Sequence, residues 1–343
     1  MRIAITADPE IPVPPKHYGG IERIIDLLVR GLAQQGHEVT LFAHRDSQVP
    51  CDVVAYEKTS LDSPAAVGRC MLAVRQQVRE RRIEVIHSFG RLAYLAGLIS
   101  TRVPKLMSYQ RAISRQSVVW GKRLFSKSLH FTACSRQMTE RVRDICGFDV
   151  VYNSVSPEQY RFRPTIPESA PLVFLGRVER IKGAHIAIEV ARKTGRRLVI
   201  AGNVPESAIH QQYFRNEILP NVDGSQIEYA GPVDDNQKDA LLGGAATLLM
   251  PILWDEPFGI VMAEALACGT PVIGFNRGSV PEIVDGGVNG FVCDTVEDMC
   301  REVSRLDRID RVACRRIMEQ RFSSPVMVDR YLEIYRSLIG QNN

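Results

Sequence analysis

No apolar run in the chain approaches the ~20 residues that a membrane-spanning helix needs. Met1-Arg2-Ile3-Ala4-Ile5-Thr6 reads as a strand, and no long apolar segment with a cleavage site follows it, so a signal peptide is not expected. Cysteine pairs at metal-ligand spacing are also missing. The eight cysteines, Cys51, Cys70, Cys134, Cys146, Cys268, Cys293, Cys300 and Cys314, are scattered as small core residues would be under reducing conditions. Charge of one sign is scarce: 43 basic and 39 acidic residues leave a net +4, too little to point to nucleic acid. There is no GxGxxG dinucleotide fingerprint, which weakens the case for a dehydrogenase. No Asp-x-Asp stands at a strand end where a divalent metal would bridge phosphates, and Asp234-Asp235 reads as a helix start, so neither metal nor other cofactor is expected.

What is present is an alternation of short β-rich runs and helical periods over 343 residues, the pattern of parallel α/β layers in two domains. RIAITA (2–7), EVTLFAH (38–44), IEVIH (83–87), PKLMSY (104–109) and HFTACS (130–135) read as strands. Helices are expected near 21–35, 64–81, 90–100 and 136–146. The pattern restarts with PLVFLG (171–176), RRLVIAG (196–202), QIEYAG (226–231), ATLLMP (246–251), TPVIGF (270–275) and GFVCD (290–294). Helices near 184–194, 206–219, 235–243 and 259–268 fall between these strands. We therefore expect an N-terminal domain over 1–155, a proline-rich linker over 156–171 and a C-terminal domain over 172–322. A terminal helix over 323–343 would pack across both. Two doubly wound domains put their ligands at the carboxyl ends of parallel strands, and a cleft between the two is the natural site.

Three stretches carry chemistry. In WDEPFGIVMAEALACGTPVIG (254–274), Pro257 suits the first turn of a helix and Glu256 stands at or before its start. The amides of Phe258, Gly259 and Ile260 then form an anion site, with Gly259 allowing close approach. Glu264 lies four residues beyond Ile260, about 6 Å along the helix axis, among residues that look buried. A carboxylate beside an anion site is suited to hydroxyls, so the pair fits a ligand with hydroxyls on either side of a phosphate: a nucleotide sugar. The bland alternative, Glu256 complementing the helix dipole and Glu264 exposed, stays open on these residues alone. In FLGRVERIKG (174–183), Arg177 and Lys182 follow a strand directly and suit a diphosphate and the charge that grows on it as it leaves. Arg180 reads as solvated. In HYGGIE (17–22), Gly19 and Gly20 allow close backbone approach beside a helix start, with His17 a weaker candidate contact. His87, ending a strand, reads as a structural histidine.

Together these stretches resemble glycosyltransferase family 4, retaining enzymes of the GT-B fold with two facing Rossmann-like domains. EPFGIVMAEALACGTPVI resembles the family's E-x7-E signature, GRVERIKG its Arg…Lys-Gly loop, and YGGIERIIDLLVRGLAQQGHEVTLFA its glycine loop, first helix and second strand. PVPPKHYGGIER, ILWDEPFG and DRIDRVACRR further resemble the subgroup around the avilamycin-pathway glycosyltransferase. The resemblance implies that Arg177 and Lys182 grip the donor diphosphate. Glu264 would hold the ribose, and Glu256 with the Phe258–Gly259 backbone would meet the transferred sugar. Gly19 and Gly20 would approach the donor from the other domain, and Val233 would lie near the base. Gln110 stands where many members have a sugar-contacting histidine, and Asn153-Ser154 replaces the family's Asn-Gly. A glutamine is no base, yet a same-face reaction in which the leaving diphosphate takes the acceptor's proton needs positioning and cations more than a protein base. Gln110 is then a positioning residue.

From 101 to 146 the sequence carries ten basic residues against Glu140 and Asp144. Such a cluster suits an anionic or lipid-linked acceptor, or the inner face of a membrane approached from the cytoplasm, against the alternative of a solvated face. Two other functions remain on the same architecture: a nucleotide-sugar epimerase, and a non-catalytic nucleotide-sugar-binding protein.

Overall fold

The computed structural model of the chain describes residues 1–16, 19–56, 64–125 and 128–341. Two compact units result, Met1–Ser154 with Ser324–Asn343, and Val155–Ser323.

The first unit follows the order β1 (Arg2–Thr6), α1 (Gly20–Gln34), β2 (Glu38–Ala43), β3 (Asp52–Ala55), α2 (Pro64–Glu80), β4 (Val85–Ser88), β5 (Lys105–Tyr109), α3 (Arg115–Phe125), β6 (Leu129–Ala133) and β7 (Asp149–Val150). Its seven strands form one parallel sheet ordered β3-β2-β1-β4-β5-β6-β7. Ile3, Ala4 and Ile5 of central β1 are wholly buried, as a strand covered on both faces requires. The order reverses between β1 and β4, so the loops leaving those strands diverge at the carboxyl edge. β3 and β7 are absent from the sequence expectations; they are edge strands of four and two residues. The expected helix at 90–100 is a 3-10 segment, Leu92–Leu98, and that at 136–146 is a series of tight turns around Gln137–Thr139. In both, amides bond to carbonyls three residues back, as Tyr94 does to Arg91 and Val142 to Thr139.

The second unit contains β8 (Leu172–Leu175), α4 (Ala184–Thr194), β9 (Leu198–Ala201), α5 (Ala208–Tyr213), β10 (Ile227–Gly231), α6 (Asp235–Gly243), β11 (Thr247–Met250), α7 (Ile260–Ala267), β12 (Val272–Phe275), α8 (Val280–Ile283), β13 (Gly290–Cys293), α9 (Val296–Val303) and α10 (Arg311–Arg321). The parallel sheet runs β10-β9-β8-β11-β12-β13, with its reversal between β8 and β11. The stretch 156–171, read from sequence as a linker, is fastened into this unit. Arg315 donates to the carbonyls of Pro157 (3.2 Å), Tyr160 (3.1 Å) and Ala267 (2.7 Å). Arg311, 8% exposed, donates to the carbonyls of Arg163, Ala245 and Gly243 and to the Thr270 hydroxyl. A buried guanidinium whose three nitrogens reach these four oxygens is a strong local clamp.

The chain returns to the first unit as α11 (Ser324–Gly340). It lies close on α1 because Gly31 has no side chain: a Cβ there would stand 2.4 Å from Val328. Its buried Tyr331 and Tyr335 close a polar network in the core. His87 Nδ1 pairs with the Tyr335 hydroxyl at 2.6 Å and His87 Nε2 with the Ser108 hydroxyl at 2.6 Å. With both nitrogens engaged by hydroxyls and the ring wholly buried, the neutral imidazole donates from one and accepts at the other. Burial holds the His87 pKa well below the ordinary histidine value.

A histidine that is neutral when folded and protonatable when unfolded contributes stability above about pH 6.5, and that contribution is lost as pH falls at about 1.4 kcal/mol per pH unit. Urea denaturation between pH 7.5 and pH 5 (roughly the histidine range) should therefore lose stability more steeply for the parent chain than for His87→Gln. Parallel curves would show that His87 carries no such linkage.

Candidate functional site

The carboxyl edge of the second sheet, at its reversal point, is where two loops are locked together. The loop after β8 is pinned to β9, with the Gly176 amide donating to Ala201 O at 3.0 Å and the Val178 amide to Asn203 O at 2.9 Å. It then turns through Arg180–Lys182 to Gly183, whose φ of 81° is left-handed. A Cβ on Gly183 would stand 2.0 Å from the carbonyl oxygen of Pro251, so only glycine lets this loop lie against the one after β11. The Leu253 amide donates to Ile181 O at 2.8 Å and completes the junction.

That junction brings Lys182 to Glu256. The ammonium pairs with Oε2 of Glu256, and the indole N–H of Trp254 donates to the same oxygen at 2.9 Å. Lys182 Nζ also lies 4.9 Å from the Trp254 ring centroid, a cation–π contact. From the β12 side, the Ser279 amide donates to the Glu256 carbonyl at 3.0 Å. Gly278 permits that approach, since a Cβ there would fall 2.3 Å from the Glu256 nitrogen. Arg177 pairs with Glu179 at 2.7 Å, and Glu179 is buried. The sequence reading treats Arg177 and Lys182 as cations awaiting an anion. In the structure each already has a carboxylate partner.

Glu264 sits on α7 and is 7% exposed. Its Oε1 accepts from the Tyr160 hydroxyl at 2.7 Å and from Lys238 Nζ at 2.6 Å, and Lys238 lies 5.5 Å from the Tyr160 ring centroid. The alternative of an exposed acid is thereby removed. Both glutamates are built alike: one oxygen takes two donors, one of them a lysine. No hydrogen bond among the described residues falls on the other oxygen of either. Such an oxygen is an acceptor with fixed position, suited to a hydroxyl.

The start of α7 differs from expectation. Pro257 is outside the helix, which begins at Ile260 with Gly259 as its cap at φ 69°. This left-handed residue separates the Pro-Phe turn from the helix. Phe258 is buried and meets Phe322 edge-on, with ring centroids 5.8 Å apart, so its side chain anchors the loop. No side chain among the described residues caps α7, whose Glu264 lies one turn in from Ile260. Val233 is half-buried at the carboxyl end of β10, directly before the Asp234 cap of α6, the helix that carries Lys238.

The remaining candidates lie in the first unit. Gly19 caps α1 and Gly20 begins it; a Cβ on Gly19 would stand 2.7 Å from Pro15 and 2.8 Å from Glu22 Oε2. Burial raises the Glu22 pKa, against the lowering effect of Arg111. His17 lies outside the described residues. Gln110 follows β5, with its Oε1 buried and without a hydrogen-bond partner among the described residues. It lines a cavity of about 360 Å³ at the β1/β4 reversal, together with Asp8, Glu10, Arg91 and Arg111. Tyr94 donates to Asp8 at 2.9 Å. Sequence reasoning missed Asp8, Glu179, Lys238, Trp254 and Tyr160. Trp254 and Glu179 lie inside the quoted motifs, whereas Tyr160 and Lys238 carry no local signal.

Each half of the chain matches a family model: "Glycosyltransferase Family 4" over residues 18–159 and "Glycosyl transferases group 1" over 157–309. A glycogen synthase of Mycobacterium tuberculosis is 30% identical over 53% of this chain and 46% of its own length. The putative glycosyltransferase YtcC of Bacillus subtilis is 26% identical over 90% of this chain and 83% of its own. The chain spans about half the length of the first of the curated relatives it matches. Among solved structures, AviGT4, a glycosyltransferase involved in avilamycin A biosynthesis, is 25% identical with a TM-score of 0.72, covering 99% of this chain and 98% of that one. Anabaena HepE, solved with UDP and glucose, has a TM-score of 0.74 at 18% identity, covering 98% and 100%. The two parallel-sheet units and these neighbours make the fold GT-B.

Because the Gly183–Pro251 contact aligns the site, Gly183→Ala should destabilise the second unit by roughly 2–4 kcal/mol through clash and left-handed strain. Gly195→Ala, left-handed at 67° but facing open space, should cost about 1 kcal/mol. Urea midpoints measure both, and equal losses would contradict the assigned contact.

Proposed function

We propose that this chain, built of the two domains of a GT-B glycosyltransferase of the family 4 type, transfers a sugar from a nucleoside-diphosphate sugar to an acceptor hydroxyl with retention of configuration. The observation that carries the reading is the matched pair Glu256 and Glu264, each with one oxygen held and the other offered, at the reversal point of the second sheet. In this reading Glu264 accepts from the ribose diol, and Glu256 accepts from a hydroxyl of the transferred sugar. The uncapped start of α7 and Lys182 face the diphosphate, and Val233 lies beside the base.

The ion pairs refine the chemistry. Lys182 is paired with Glu256, so a diphosphate has to share that ammonium. The carboxylate alone already neutralises the ammonium, so the charge that a diphosphate adds is met by the amides at the start of α7 and by the shared cations. As the sugar–phosphate bond breaks, negative charge accumulates on the leaving oxygen, where Lys182 and Arg177 stabilise it without reorganisation. The acceptor hydroxyl attacks the same face and passes its proton to that departing oxygen, so no protein base and no metal is required in this mechanism. Gln110 positions substrate through its Oε1, which has no partner among the described residues and accepts from a hydroxyl. The cavity in the first unit, with acceptor atoms from Asp8, Glu10 and Gln110, is the proposed acceptor seat. Gly19 and Gly20 keep the proposed role of close backbone approach. Assignment to the avilamycin-type subgroup and a cytoplasmic location belong to the same proposal.

Incubation with a panel of nucleotide sugars tests the class of reaction: slow donor hydrolysis supports transfer, an isomerised sugar supports epimerisation, and binding without turnover supports a sensor. Arg177→Ala and Lys182→Ala should each lower turnover about 100-fold, the scale of losing one preorganised charge stabiliser. Glu256→Gln should lower turnover similarly while binding the free nucleoside diphosphate at least as tightly as the parent, because it releases Lys182. A diphosphate affinity that falls together with turnover would remove Glu256 from the sugar and assign it to organising Lys182 alone.

A further inference from the structure

The helix α3 lies apart from every residue assigned above, except that Ser117 lines the first-unit cavity. Its inner face is settled: Val118, Gly121 and Phe125 are buried, and a Cβ on Gly121 would come within 3.0 Å of Leu129 and Phe131 of β6. Its outer face is unusual for a soluble surface. Trp120 is 54% exposed, Val119 47% and Leu124 45%. Trp120 and Leu124 are four residues apart, as are Val119 and Arg123, so the apolar side chains share one stripe with Arg123 between them. Lys122 flanks it with its ammonium on the Ile145 carbonyl at 3.1 Å. The helix contains no acidic residue, and Lys122 and Arg123 are exposed. Arg123 lies 5.6 Å from the Trp120 ring centroid. The only two acids between 101 and 146 are taken up locally, Asp144 by Arg115 at 2.7 Å and Glu140 by Arg143 at 2.9 Å.

We propose that the outer face of α3 docks on an anionic lipid bilayer, with Trp120, Val119 and Leu124 entering the interface and Lys122 and Arg123 meeting the headgroups. Charge complementarity selects this occupant. An exposed indole under an arginine, with an exposed lysine at the edge of the stripe and neighbouring carboxylates neutralised, matches a surface that is apolar below and negative above. No helix among the described residues is long and apolar enough to cross a membrane, so the contact is peripheral. One short stripe gives a weak, reversible and salt-sensitive association. The inference does not depend on the donor site.

The experiment uses the full chain with vesicles of phosphatidylcholine, alone and mixed with phosphatidylglycerol. Co-sedimentation is expected with the anionic vesicles only, decreasing as salt rises. Lys122→Glu with Arg123→Glu should lower the partition coefficient at least 100-fold, since each basic residue near an anionic surface is worth about five-fold and reversal counts twice. Trp120→Ser should lower it several-fold and abolish the fluorescence blue shift on binding. All variants should retain the parent's melting temperature and its response to free nucleoside diphosphates, which separates this contact from the donor reading. No partition into anionic vesicles, or equal partition of the charge-reversed variant, overturns the proposal. So does a dimer in sedimentation equilibrium that Trp120→Ser dissolves, because the stripe would then belong to a second copy.

Discussion

A carboxylate on an apolar helix must be neutralised, and much of the second unit is arranged around that requirement. Glu264 occupies α7 among Met262, Ala263, Ala265 and Leu266, all without exposed surface. Unpaired, its charge would cost several kcal/mol. Lys238 from α6 and Tyr160 from the segment before β8 converge on one of its oxygens. The segment carrying Tyr160 is held in turn by Arg315, and its continuation by Arg311. A site residue thus recruits elements from distant parts of the chain, and its second oxygen acquires a fixed position as a consequence.

Glu256 shows the same logic on a loop. Here the packing constraint is backbone against backbone: Gly183 against Pro251 and Gly278 against Glu256 itself. These two contacts fix the loop after β11 from opposite sides, and Lys182 and Trp254 then hold the carboxylate. Preorganisation of this kind matters because charge stabilisation in a reaction is effective only when the stabilising groups need not move. The pairing of cation with acid also keeps a half-buried ammonium from standing alone.

The first unit places its polar groups differently. Its interior contains a satisfied network, His87 with Tyr335, Ser108 and Thr132, that joins the terminal helix to the sheet. Its carboxyl edge instead leaves the Gln110 acceptor without a partner among the described residues. A satisfied buried network rigidifies, whereas an orphaned buried acceptor awaits a donor. The contrast between these neighbouring regions is what distinguishes scaffold from site.

Much of this was legible in the sequence. Alternating β-rich runs and helical periods fix two parallel α/β layers, because a strand buried on both faces has to be apolar throughout, as Ile3 to Ile5 and Leu248 to Leu249 are. The motif residues Arg177, Lys182, Glu256 and Glu264 stand at strand ends and helix starts for reasons local to the chain. Short edge strands such as Asp149–Val150 and the 3-10 run Leu92–Leu98 were not legible, since their periods are too short or too close to the helical one. Nor does the sequence state who neutralises whom. Tyr160 and Lys238 lie 104 and 26 residues from Glu264, and Glu256 lies 74 from Lys182. Residue type and spacing determine which groups can carry the chemistry; the tertiary structure decides their charge partners, because desolvation and pairing act through space and leave no local trace in the chain.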